Sequence, residues 1–291
     1  MSIQNVAVLG AGLMGRGIAY VSALGGYHTV LQDTSRDQLE NAANDISAIL
    51  EKGVATGKVA DHEAIEARKR LRTVGSLDEA ARTADLVIEA VPERMDLKVE
   101  IFAQLDRVAP AHAILASNTS SLSITEMAAA TRRGPQVVGL HFFNPVHRMK
   151  LLEIVRALET SERTLALSEE VGKRMGKECV TVRESPGFVT SRINAMIGNE
   201  AFYMLQEGVA SAADIDKALK LGLNHPMGPF ELVDLVGLDT RLAILRFLHR
   251  TLGEKFRPCP LIEQYVAAGR LGRKSGRGVY EYPAVADTVA S

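Results

Sequence analysis

The sequence predicts an α/β fold, a doubly wound and mainly parallel sheet, followed by a smaller all-α domain. Three observations predict it. Short apolar runs alternate with longer amphipathic ones, and repeated βα units of that kind make a parallel sheet with helices on both faces. A glycine-rich turn, GAGLMGRG at 10–17, lies between the first strand and the first helix. After Ser185-Pro186-Gly187 hardly a strand candidate remains. That shift separates residues 1–184, a nucleotide-binding domain, from residues 185–291, a helical one.

Each element follows from its pattern. VAVLG (6–10) is short and unbroken in its apolar character, as a buried strand requires, and the helix after it (13–26) stops at glycines. HTVLQD (28–33) is the second strand, followed by a helix over 37–52. The charged stretch 51–72 predicts a helical excursion. DLVIEAV (85–91), AILASN (113–118), QVVGLHFF (136–143), KLLEIVR (150–156) and ECVTV (178–182) are further strands, with helices over 97–108 and 162–176 between them. Beyond the boundary, 193–208, 212–222 and 228–252 carry apolar residues at i, i+3 and i+4.

Bulk properties exclude several classes. The chain has 291 residues, 46% hydrophobic and 24% charged, as in ordinary soluble globular proteins. A formal net charge of −1 offers no field for nucleic acid or an anionic membrane. No apolar run is long enough to span a bilayer, and the N-terminus MSIQNVAVLGAG has no signal-peptide pattern. Two cysteines, Cys179 and Cys259, make a disulfide framework improbable and a reducing cytoplasm the expected setting. No metal-ligand spacing stands out, so no metal is expected.

Gly10, Gly12 and Gly15 have GxGxxG spacing, follow a strand and open a helix. In a Rossmann-type unit the first glycine permits the tight turn, the second admits a pyrophosphate and the third allows close helix–strand packing. The helix start at Leu13 and Met14 presents unpaired N–H groups and the positive end of the helix dipole to phosphate. Asp33, closing the second strand, suits ribose hydroxyls and repels a 2′-phosphate, which favours NAD over NADP. The bland alternative is a glycine turn with Asp33 capping the next helix.

An NAD site implies hydride transfer, which needs a base for the carbinol proton. Histidine suits that near neutral pH. Of seven histidines, His141 ends a sheet strand, where ligands bind in open α/β sheets, whereas His147 lies beyond a proline as a surface or loop residue. Glu153 interrupts the apolar run LLEIV, where a carboxylate is costly unless paired. On spacing alone two readings stand: a Glu153–His141 pair, or a carboxylate facing solvent from an edge strand.

GAGLMGRG, Asp33, IEAVPE (88–93), SNTSSLSIT (117–125), HFFNPV (141–146), Glu153, SPGFV (185–189) and LGRKSGRGVYEY (271–282) together resemble the L-3-hydroxyacyl-CoA dehydrogenase family, and bacterial 3-hydroxybutyryl-CoA dehydrogenases most of all in length and layout. The resemblance implies NAD-dependent interconversion of L-3-hydroxyacyl-CoA and 3-ketoacyl-CoA. It makes His141 the base and Glu153 its partner. Ser120 contacts the substrate oxygen, and Asn144 lies near nicotinamide and substrate. Ala90, Glu93, Lys98, Asn118 and Lys274 fall at cofactor-contact positions. For Ser120 the alternative is capping of the helix that follows.

One position departs from the pattern. PGFVTSR has Ser191 where many members have a substrate-positioning asparagine, which puts substrate range in doubt more than reaction type. Asn194 lies about one helical turn on. The resemblance also implies that the excursion covers the CoA tail, with Lys52 and Lys58 as phosphate partners, against the alternative of a solvated charged face. In the second domain, apolar residues on several faces of 230–236 suggest burial against a partner, and the resemblance implies a homodimer through this domain. Two other functions are weighed. A dehydrogenase of a free hydroxyacid or sugar acid, gulonate-type, would not discriminate for CoA. A non-catalytic NAD-binding protein would have no use for His141, Glu153 and Ser120 together.

Overall fold

A computed structural model describes residues 2–283. The chain divides into two compact units at Ser185/Pro186.

The first unit is built on one sheet of eight strands, in the order β3-β2-β1-β4-β5-β6-β7-β8. These are β1 (Asn5–Leu9), β2 (His28–Gln32), β3 (Leu71–Val74), β4 (Leu86–Glu89), β5 (Ile114–Ser117), β6 (Val137–Phe142), β7 (Leu151–Arg156) and β8 (Glu178–Arg183). Helices α1 (Leu13–Leu24), α2 (Arg36–Ala55), α3 (Asp61–Arg70), α4 (Leu77–Ala81), α5 (Met95–Val108), α6 (Ile124–Ala129) and α7 (Glu162–Arg174) connect them. Val6, Val8, Ile18, Leu31, Ile88, Ala116, Leu140 and Ile154 belong to one buried cluster, which joins strands of both halves of the sheet to α1. The sheet is doubly wound. From β1 the chain builds outward through β2 and β3, then returns to β4 on the other side. The carboxyl ends of β1 and β4 therefore diverge into a crevice, the place where ligands bind in such sheets.

The pairing is parallel except between β6 and β7. The loop 143–150 is too short for a crossover, so β7 turns back beside β6, and His141 falls directly opposite Glu153.

Two segments differ from expectation. The stretch 51–72 is not one helical excursion: α2 runs on to Ala55, α3 covers Asp61–Arg70, and the chain then enters strand β3 at Leu71. Strand β3 went unread because it is a short edge strand, with Arg72 and Thr73 exposed and Val74 alone buried. The stretch 228–252 is two helices, parted at Gly237, whose φ of 105° few residues other than glycine adopt.

The second unit holds α8 (Thr190–Gln206), α9 (Ala212–Gly222), α10 (Pro229–Val236), α11 (Leu238–Leu252) and α12 (Pro260–Ala267). Their core gathers Phe202, Phe230, Val233, Leu242, Leu245 and Ile262. Two buried carboxylates clasp it. Asp216 accepts hydrogen bonds from Phe230 N, Glu231 N and the Tyr280 hydroxyl. Asp234 accepts from Val279 N, Tyr280 N and the Tyr282 hydroxyl.

Candidate active site

The glycine turn shows what fills the crevice. A side chain at Gly10 would stand 2.7 Å from the Ala90 carbonyl, and one at Gly15 would stand 1.7 Å from the Gly10 carbonyl. Both are excluded by the protein's own backbone. At Gly12 a side chain would meet nothing within 4 Å. The space it leaves is open to a ligand. Gly12 begins α1 with no side-chain cap, so the N–H groups of the first turn remain for phosphate oxygens, and Leu13 is exposed beside them. Asp33 does not cap α2; Ser35 does, accepting from Gln38 N. Instead Asp33 Oδ2 accepts from Ala11 N at 2.8 Å and Oδ1 from Ser35 N at 2.9 Å. The carboxylate is thereby fixed beside the turn, and the alternative of a mere helix cap falls away. Residues, open space and charge fit a dinucleotide.

On the other side of the crevice, His141 Nδ1 lies 2.7 Å from Glu153 Oε2. Both side chains are buried, at 8% and 1% exposure. Glu153 does not face solvent from an edge: β7 is covered on both sides, by β6 and by β8. Phe143 tilts against the imidazole with ring centroids 4.4 Å apart. A buried carboxylate on Nδ1 holds the ring in one orientation and fixes which nitrogen carries the proton toward it.

Residues 118–121 leave β5 next to β6. Asn118 Oδ1 accepts from Phe142 N at 3.0 Å, which ties this loop to the strand that carries His141. Ser120 is not a helix cap; Ser123 fills that role for α6. Its own N–H donates to Glu93 Oε1 at 3.2 Å. Ala90 follows β4, and its N–H donates to the Leu9 carbonyl at 2.8 Å, joining the two strand ends. Lys98 is turned inward: at 1% exposure its ammonium lies 2.6 Å from Glu89 and 3.3 Å from Glu93.

A pocket of about 270 Å³ is lined by Leu13, Arg16, Lys52, Asn144, Pro145 and His147, among others. His147 is thus exposed, as expected of a loop residue, but it forms part of a pocket wall, edge-on to Tyr20 at 6.0 Å. Partial desolvation, with Arg148, Lys177, Lys52 and Lys58 nearby, holds its imidazole below the ordinary value. Within the cationic stretch, Arg68, Lys69, Arg70 and Arg72 each pair with a glutamate. Lys52 and Lys58 are exposed and have no carboxylate partner among the described residues. Ser191 and Lys274 belong to the second unit. Ser191 lies in the first turn of α8, half-buried, and the Lys274 ammonium pairs with Asp239 at 2.6 Å.

The residue the sequence reading passed over is Glu89. It is fully buried at the end of β4, and the signal was available: like Glu153, it is a carboxylate among apolar strand residues.

Comparison with known proteins agrees with this geometry. Residues 5–185 match the family "3-hydroxyacyl-CoA dehydrogenase, NAD binding domain", and residues 187–282 match "3-hydroxyacyl-CoA dehydrogenase, C-terminal domain". A probable 3-hydroxybutyryl-CoA dehydrogenase of Bacillus subtilis is 47% identical over 97% of this chain and 98% of its own length. The mitochondrial hydroxyacyl-coenzyme A dehydrogenase of Sus scrofa is 42% identical over 96% of this chain and 91% of its own. Among solved structures, (S)-3-hydroxybutyryl-CoA dehydrogenase from Ralstonia eutropha superposes with a TM-score of 0.93 at 44% identity, covering 97% of this chain and 100% of that one. With a crevice shaped for NAD and both domains matched along nearly their full length, the chain belongs to the 3-hydroxyacyl-CoA dehydrogenase family of NAD-dependent oxidoreductases.

Proposed function

We propose that this protein oxidises short-chain L-3-hydroxyacyl-CoA, 3-hydroxybutyryl-CoA foremost, to the 3-ketoacyl-CoA and catalyses the reverse, with His141 as general base. The observation that carries the reading is the buried His141–Glu153 hydrogen bond of 2.7 Å at the carboxyl end of β6.

Bound NAD supplies the acceptor for the hydride that leaves C3. Gly10, Gly12 and Gly15, with the first turn of α1 at Leu13 and Met14, hold the phosphates, and Asp33 holds the ribose. Ala90, Glu93, Lys98 and Asn118 complete the cofactor's surroundings in this unit, Lys98 acting through the carboxylates that enclose it. His141 takes the 3-hydroxyl proton at Nε2, since Nδ1 is engaged by Glu153, and Glu153 stabilises the imidazolium that forms. As proton and hydride leave, the C3–O bond becomes a carbonyl. Ser120 and Asn144 are neutral donors to the C3 oxygen, where they favour the charge that builds up during transfer. In reduction, His141 returns the proton.

Lys52 and Lys58 serve the CoA phosphates: they are the cations of their stretch that no carboxylate neutralises among the described residues. The pocket that Lys52 shares with Asn144 supports a thioester tail running from the reacting carbon toward α2. Ser191 contributes one hydroxyl to substrate binding. Exposed Ile193 and Met196 on α8 and Leu235 and Val236 on α10 support a homodimer formed through the helical unit. Two free cysteines fit a reducing cytoplasm.

The test is a spectrophotometric NADH assay with 3-ketoacyl-CoA substrates of increasing chain length, beside free acetoacetate. The expected result is turnover with acetoacetyl-CoA and little with the free acid. Equal use of the free acid would favour a hydroxyacid dehydrogenase and end this reading.

A further inference from the structure

We propose that Glu89 and Lys98 are positioning residues that hold the loop carrying Asn118 and Ser120 in its working shape. The inference deepens the function proposed above and rests on it. Glu89 ends β4 with no exposure at all, and Lys98, in the first turn of α5, is 1% exposed. A buried charge of either sign is costly without its partner.

Both oxygens of the Glu89 carboxylate are engaged. Oε1 accepts from Lys98 Nζ at 2.6 Å and from Val91 N at 2.7 Å, and Oε2 accepts from Ser117 Oγ at 2.6 Å. Ser117 stands directly across the ladder in β5, so the side-chain bond reinforces the register of the two strand ends. From there the network runs into the loop by two routes. Ser117 Oγ accepts from Thr119 N at 3.2 Å. Lys98 reaches Glu93 at 3.3 Å, and Glu93 Oε1 accepts from Thr119 Oγ1 at 2.5 Å and from Ser120 N at 3.2 Å. Thr119 Oγ1 in turn accepts from Leu122 N at 2.9 Å.

One ammonium thus binds two carboxylates, and both lead to the same loop. Glu89 anchors the chain where the loop leaves the sheet, and Glu93 grips it at Ser120. A network whose only task was to satisfy a buried glutamate would end at Ser117. This one continues through a second, half-exposed carboxylate to the backbone of the residue proposed to contact the substrate oxygen.

The experiment compares Glu89→Gln, the charge-free double variant Glu89→Gln/Lys98→Met, and Ser117→Ala with the wild-type enzyme. Read-outs are the melting temperature, kcat and KM for acetoacetyl-CoA with NADH, and hydrogen exchange across 117–122. Removing both charges relieves the unpaired lysine, so the double variant regains most of the thermal stability that the single variant loses. Its kcat stays down by roughly tenfold to a hundredfold, with a much smaller change in KM, because Ser120 is misplaced. The segment 117–122 exchanges faster than in the wild type. Ser117→Ala, which leaves the ion pair intact, repeats the exchange result and a lesser part of the kcat loss. A double variant that recovers stability and turnover together overturns the proposal, as does unchanged exchange across 117–122 in both the double variant and Ser117→Ala. If the wild-type enzyme itself fails to reduce acetoacetyl-CoA, it is the proposed function that fails, and exchange alone then decides whether the pair orders the loop.

Discussion

Both units of the molecule bury carboxylates, and they partner them in opposite ways. In the helical unit, Asp216 and Asp234 are met by backbone N–H groups and tyrosine hydroxyls. Those donors change charge only far above neutral pH, since burial and the facing aspartates raise both phenols, Tyr282 to about 12. In the sheet, Glu153, opposite His141 near the carboxyl end of β6, is met by that histidine, and Glu89, at the end of β4, by a lysine. The first arrangement staples residues 279–282 to the core, and its donors do not change charge near neutral pH. The second holds titratable groups at the rim of a ligand crevice. Burial of an acid is therefore no sign of function by itself; what separates clasp from site is the partner and the place.

The comparison breaks most readily at His141. His141→Ala should lower kcat by about 10³-fold, the size of a lost general base, while NADH affinity measured by fluorescence titration stays the same. Turnover near the wild-type rate would make the pair another clasp. Asp234→Asn should behave in the opposite sense, lowering stability by about 3 kcal/mol on chemical denaturation as charge-assisted hydrogen bonds are lost, with kcat per folded molecule retained. A kcat loss without a stability loss there would reverse the assignment. Lys52→Ala touches neither class and should raise KM for acetoacetyl-CoA about tenfold at constant kcat, roughly 1.4 kcal/mol of binding. No change in KM, or in its salt dependence, would return Lys52 to a solvated surface.

The smallest effect is alkaline. The Tyr282 phenol is raised from 10.0 to about 12 by burial and by its hydrogen bond to Asp234. A raised value in the folded state means that this stability is fully present below pH 10 and drains away as pH climbs to about 12. Thermal melts across that window should fall less steeply for Tyr282→Phe than for the wild type. Parallel slopes would show that the phenol does not feel the clasp.

The sheet and its cofactor crevice were legible in the sequence because each rests on local pattern. VAVLG followed by GAGLMG reads as a strand, a turn and a helix start, and those are the elements the structure contains. Strand β3 was not legible, since an exposed edge strand of four residues carries no apolar signature. The contact between His141 and Glu153 was half legible. Their types and strand placement raised it, but spacing could not show that β7 runs antiparallel to β6 and sets the two opposite each other. Glu89 was missed for a related reason. Its partners Lys98 and Ser117 lie 9 and 28 residues away, a distance over which no periodicity carries information. Asp216 of α9 and Asp234 of α10 carry no local signal that sets them apart from surface aspartates such as Asp214; only tertiary contacts enclose them.

The central claim is that Glu153 supports His141 as the base. The most direct test is kcat for 3-hydroxybutyryl-CoA oxidation in the wild type and in Glu153→Gln. The Glu153 carboxylate holds the ring at Nδ1 and faces the positive charge that forms as the proton is taken. Its loss should lower kcat by about 10²-fold while NADH affinity stays the same. A kcat near the wild-type value in Glu153→Gln would contradict the account.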